Sequence, residues 1–196
     1  MNTRIEPQQR RSRDKRDRVL AAAAALLQEV PFDEIGTRLI AERAEVSVGS
    51  LYRFFPDKEA IFLALSESWL DKVIALMDGL VAAPPATLGA FVDSVVDTFA
   101  AFFRDEPGYR QVSLGSQTLL VAPGASARND ADLAERLRRT VTGHYGRPDD
   151  AELTPRLLLA IHVTECLLNR AFRTDPAGDP FVLSELKGLL RAYLGA

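Results

Sequence analysis

Cysteine is nearly absent from this chain of 196 residues: Cys166 stands alone, so no internal disulfide framework can form. A single thiol fits a reducing compartment, and the expected location is cytoplasmic. Histidine is almost as scarce, with only His144 and His162 to serve as general bases. Glu165 and Cys166 sit beside His162 in sequence, yet no nucleophile elbow, phosphate-binding glycine loop or metal box accompanies them. An enzyme is therefore not expected, and neither a cofactor nor a metal is called for. No apolar run approaches the roughly 20 residues that span a bilayer, and residues 19–27, the longest tempting stretch, are alanine-rich. The basic N-terminus is not followed by a secretory apolar region and cleavage pattern. Strand-like alternation and internal repeats are missing too. What is present is a chain 47% hydrophobic, enough for a full core, patterned throughout at helical spacing. The expected fold is all-α, with about nine helices.

The densest information lies between Thr37 and Lys58. Two short helices joined by a tight turn are expected there. Thr37 can cap the first, which would bury Ile40, Ala41 and Ala44. Ser47 can cap the second, which would bury Leu51 and Phe55, with Val46 filling the wedge between them. This is a helix-turn-helix pattern, whose second helix suits the DNA major groove. Val48, Gly49, Ser50, Tyr52 and Arg53 then fall on the exposed arc. Gly49 lets the backbone approach a phosphate or base edge. Tyr52 and Lys58 can reach phosphate oxygens, and Arg53 can bind guanine bidentately or a phosphate. A plain helical hairpin with polar residues facing water is the bland alternative.

The flanks favour DNA. Val19, Ala22, Ala23, Leu26, Leu27 and Val30 form a supporting helical face upstream. Downstream, Pro56 suits a first helical turn. Ile61, Phe62, Leu65, Trp69, Val73, Met77 and Leu80 then mark a long amphipathic helix. This order resembles the tetracycline-repressor (TetR) family of transcriptional regulators, over roughly Arg13 to Leu65. The matching residues are Thr37, Ile40-Ala41, Val46-Ser47, Gly49, Leu51-Tyr52, Phe55 and Lys58-Glu59. The resemblance implies a repressor of pseudo-palindromic operator DNA, with contacts from Thr37, Ser47, Val48, Gly49, Ser50, Tyr52, Arg53 and Lys58; Arg38, beside Thr37, is a further candidate contact. Two positions depart from the family pattern. Glu45 stands where the turn usually has Gly, and a left-handed backbone there would cost it about 1 kcal/mol more than Gly. Pro31 replaces a helix-ending Gly, and also stops a helix.

Charge is unevenly spread. The net is −3, but residues 1–58 hold 11 Lys or Arg against 9 Asp or Glu, and the remainder 13 against 18. The excess is densest at Arg10, Arg11, Arg13, Lys15, Arg16 and Arg18. Residues 1–12 are expected to be a flexible basic arm, able to reach phosphates or a minor groove, or merely a solvated tail. Residues 13–58 form the expected DNA-binding domain, 59–80 a connecting helix, and 81–196 a ligand-binding and dimerisation domain.

Past Leu80, paired Pro84 and Pro85 break the helix and Thr87 can cap the next, whose stripe runs Phe91, Val92, Val95, Val96, Phe99, Phe102 and Phe103. Residues 109–120 read as a short helix and 121–132 as a loop. Leu133, Leu137, Val141 and Tyr145 mark another helix, and two more cover about 154–172 and 180–193. Leu157, Leu158, Ile161, Leu167 and Leu168, with Phe181, Leu183, Leu186, Leu189, Leu190 and Tyr193, exceed what a small domain buries, and Gly188 admits a close neighbour. A homodimer through these last two helices is expected, which the resemblance also implies, unless both stripes pack on their own domain. It would set two hairpins about 34 Å apart, or a multiple of that. Met77, Phe99, Phe103, Tyr145, His162 and Cys166 could line a site for a small hydrophobic or aromatic effector, or be ordinary core. His162 is expected to be buried and bonded to a neighbour; with Cys166 it makes a weak metal pair. A non-specific DNA organiser is the competing function.

Overall fold

A computed structural model describes residues 5–114 and 125–196, with side chains described for 10–111 and 128–196. Among the described residues, every regular element is helical: α1 (Ile5–Glu29), a 3-10 turn (Phe32–Glu34), α2 (Thr37–Arg43), α3 (Val48–Tyr52), α4 (Lys58–Ala82), α5 (Leu88–Asp105), α6 (Pro107–Leu114), α7 (Ala125–Gly143), α8 (Leu153–Phe172) and α9 (Pro180–Leu194). No described helix is long and apolar enough to cross a membrane.

The chain divides into two compact units, and α4 runs from one into the other. The first holds α1 to Ser68 together with α6. Its core is built from Val19, Ala23 and Leu26 of α1, Ile40 and Ala41 of α2, Leu51 of α3, and Ile61 and Phe62 of α4, all nearly inaccessible. Each large aliphatic so buried contributes roughly 1.5–3 kcal/mol against the entropy of ordering. A forked ion pair braces α2 against α1: Arg43 donates to both Glu29 oxygens, at 2.7 and 2.5 Å. These bonds hold the Glu29 carboxyl below its ordinary pKa. α6 packs on α1. Residues 107–114, which fall within the expected 81–196 domain, thus cluster with the first unit.

The second unit comprises residues 69–106 and α7 to α9. Thr87 caps α5 by accepting from the Ala90 amide at 3.2 Å, and Phe91, Val92, Val96, Ala100, Phe102 and Phe103 face inward. They meet Leu157 and Phe172 of α8 and Leu186 and Leu190 of α9 in one core, with the Phe103 and Phe172 rings 5.7 Å apart. Asp179 caps α9, with Pro180 at its first position. Glu106 accepts from Trp69 Nε1 at 3.0 Å and pairs with Lys72, tying the end of α5 to α4.

Two boundaries need correction. Helix α1 starts at Ile5, so most of the expected flexible arm is helical. A packed helix can extend outward without repeating the costly nucleation step. Helix α7 starts at Ala125, inside the stretch expected as a loop at 121–132. Small residues there are compatible with a helix once Leu133 and Ala134 anchor it. The remainder of the helix expected over 109–120, beyond Leu114, lies outside the described residues.

Candidate nucleic-acid interface

The hairpin is built from the inside out. α2 buries Ile40 and Ala41, and α3 buries Leu51, with Phe55 closing the far end at 4% exposure. Ser47 caps α3 as expected: its Oγ accepts from the Ser50 amide at 3.1 Å. Val46, half-buried, donates its amide to the Ala41 carbonyl at 3.0 Å and so closes the turn. Glu45 takes φ +53, so the turn adopts the left-handed conformation even without glycine. With the apolar side consumed, Ser47, Val48, Gly49, Tyr52 and Arg53 are exposed and Ser50 is half-buried. A Cβ built on Gly49 would meet nothing within 4 Å, so the space beside it is open.

The cap of α2 differs from expectation. Gly36, not Thr37, holds the N-cap position, and no side chain caps the helix. Thr37 is its first residue, and its Oγ1 lies 3.1 Å from the Tyr52 hydroxyl. Local spacing could not show this pair, because its members are 15 residues apart. It sets two hydroxyls from different helices at one place: one donates to the other, and the second keeps its proton to donate to a phosphate oxygen. Arg38 is exposed at the same end of α2. Arg53 lies over the Phe54 ring at 5.3 Å. Lys58 is half-buried. Its Nζ donates to the Phe32 carbonyl at 3.2 Å and sits 4.2 Å from the Phe32 ring centre. It thus anchors the turn before α2, a role its sequence context did not reveal.

The effector-lining residues fare differently. Met77 and Phe103 are buried core, and Phe99 is half-buried. Tyr145 packs its ring on Phe91 at 5.8 Å and donates to the Pro85 carbonyl at 2.8 Å. His162 and Cys166 are exposed on α8. The expected buried histidine is therefore corrected: His162 faces solvent, 3.3 Å from Asp130. An i, i+4 pair shares a face, but only packing decides which way that face turns. A polar open groove of about 740 Å³ lies elsewhere in this unit, between Asp78, Val81 and Pro84 on one side and Arg136 and Arg139 of α7, with His144 just past its end, on the other. Among the described residues no three His, Cys, Asp or Glu side chains gather as metal ligands.

The sequence profile for "Bacterial regulatory proteins, tetR family" matches residues 19–65. That for "Tetracyclin repressor-like, C-terminal domain" matches residues 86–196, more than half of the chain. The chain belongs to the TetR family. A TetR-family transcriptional regulator from Streptomyces coelicolor is 34% identical, over 92% of this chain and 98% of that one, with a TM-score of 0.69. The HTH-type transcriptional repressor KstR of Mycolicibacterium smegmatis is 33% identical over 66 residues, 34% of this TetR-family chain and 32% of the repressor. The match thus spans about a third of that curated relative. RolR, solved with resorcinol, is 19% identical over 92% of this chain and 89% of its own, with a TM-score of 0.57, and shares the fold.

Proposed function

We propose that this chain is a sequence-specific, DNA-binding transcriptional repressor acting as a homodimer. The observation that carries this reading is α3: capped, anchored by fully buried Leu51, and presenting Val48, Gly49, Tyr52 and Arg53 outward. Such an arc can enter a major groove, while the Thr37–Tyr52 hydroxyls and Arg38 take phosphates and fix register. The similarity to KstR repressors supports the direction of regulation.

Dimerisation through α8 and α9 is supported by what the core leaves outside. Leu157, Leu168, Leu186 and Leu190 are consumed within the chain, but Leu159, Phe181, Leu189 and Tyr193 stay exposed at 51%, 70%, 47% and 40%. The space beside Gly188 is open. A second copy would cover this face and place one hairpin on each operator half-site.

The effector is proposed to be a small hydrophobic or aromatic molecule held in the second unit. Because α4 is one continuous helix, a ligand there has a stiff element to act through. It releases DNA only if it binds better to the conformation unfit for the operator. Purified protein is incubated with a random-sequence duplex pool, and retained fragments are sequenced. A recovered inverted repeat, bound far better than random duplex, supports the repressor. Equal binding of all duplexes makes the chain a non-specific DNA organiser.

A further inference from the structure

The residues of α3 divide into a buried side and an outward side. Leu51 goes to the core, and Ser50 is half-buried. What stays outward on the first turn is Val48 and Gly49. The space beside Gly49 is open, and glycine adds no side chain to screen the Val48 methyls.

The polar groups around this turn are engaged. Ser47 Oγ accepts from the Ser50 amide at 3.1 Å. Glu45, in the turn before α3, lies 4.0 Å from Arg18 of α1. Arg53, just past the last residue of α3, lies against the Phe54 ring at 5.3 Å. Tyr52 shares a face with Val48, four residues and about 6 Å further along the axis, and its hydroxyl meets Thr37 at 3.1 Å. The side chain that leads the recognition helix outward is therefore a hydrocarbon, Val48, 36% exposed.

A recognition helix meets base edges with its first residues. In the major groove guanine, cytosine and adenine show hydrogen-bond donors and acceptors alone, whereas thymine adds a 5-methyl group. An isopropyl group pressed on a donor or acceptor strips it of water and gives it no partner. Pressed on a methyl group, it buries apolar surface on both sides. We infer that Val48 reads the 5-methyl group of a thymine, one in each operator half-site. This rests on α3 entering the major groove, and adds the class of base that the helix selects. The Thr37–Tyr52 hydroxyls, set on phosphates, hold the register, so the same base pair meets Val48 in both half-sites.

The test uses the inverted repeat that the wild-type chain selects from a random pool. Each thymine of the half-site is replaced in turn, in both halves at once, by deoxyuridine, which lacks only the methyl group. At one position the wild type should lose about fourfold per half-site, or about 15-fold in all, the worth of one buried methyl. Val48→Ala removes both γ-methyls from an exposed position and should keep the wild-type Tm. It should bind the thymine and uracil duplexes within about twofold of each other. With C·G at the same position the wild type should bind weakly, and with 5-methylcytosine·G about 15-fold better, because the methyl returns to the same place. Val48→Ala should not tell these two apart. A wild type indifferent to uracil at every thymine overturns the assignment. So does a Val48→Ala variant that keeps the full uracil effect, which would give the methyl to another side chain or to DNA shape. Either result leaves the repressor standing while the inverted repeat is still preferred over random duplex. Equal binding of all duplexes sinks the repressor, and this inference with it.

Discussion

Replacing Glu45 by glycine should make the protein more stable, and the size of the gain follows from one dihedral angle. Glu45 holds φ +53 between α2 and α3. A side chain in that left-handed region costs roughly 1–2 kcal/mol, because Cβ crowds the following carbonyl. Glycine removes the crowding but frees the unfolded chain, which takes back about 0.4–1 kcal/mol. The Arg18–Glu45 pair is lost as well. At 4.0 Å, with side chains 47% and 86% exposed, it contributes close to nothing. The net is about 0.8 kcal/mol, or a rise in Tm of about 2–3 °C for a chain of this size. Glu45→Ala separates the causes, since it removes the charge but keeps Cβ. Stability should follow Cβ, so alanine gains nothing. DNA affinity should follow charge, so both variants gain about twofold, the size of a water-screened charge term at about 10 Å. Thermal unfolding and DNA titration read the two effects. If alanine raises Tm as much as glycine, backbone strain at this turn is not the cause.

Tyr52→Phe removes the hydroxyl that meets Thr37, and should weaken operator binding about 5–10-fold with little change in Tm, a hydrogen bond's worth of roughly 1 kcal/mol; unchanged affinity would show that this hydroxyl pair is idle. Phe181→Asp with Leu189→Glu places charge on the exposed apolar face of α9. Sedimentation should show monomers, and a dimer that persists would move the interface elsewhere. Glu135 is held at a pKa of about 2, against an ordinary 4.5, chiefly by hydrogen bonds from Arg138 and then Arg139. Its depressed value means that its stabilising share is complete above pH 4.5 and is lost as pH falls towards 2. Glu135→Gln should flatten that part of the acid-unfolding profile, whereas parallel profiles would deny the linkage.

Local chemistry made much of this protein legible from its residues alone. Spacings of three and four located the helices, and paired prolines placed the break after α4. Ser47 and Thr87 were readable as caps because a cap acts within three residues of itself. The hairpin and its outward arc followed from the same short-range rules, whereas Glu45 stood out only through the family resemblance, and its left-handed backbone was shown by the fold. Tertiary structure decided what lies beyond the reach of one helical turn. It paired Thr37 with Tyr52, gave Lys58 to Phe32, and packed α6 on α1 within the first unit. It turned His162 and Cys166 to solvent, while Met77 and Phe103 went to the core. Periodicity specifies that a helix has an apolar face, but the partner of that face is set by which distant surfaces fill the same space.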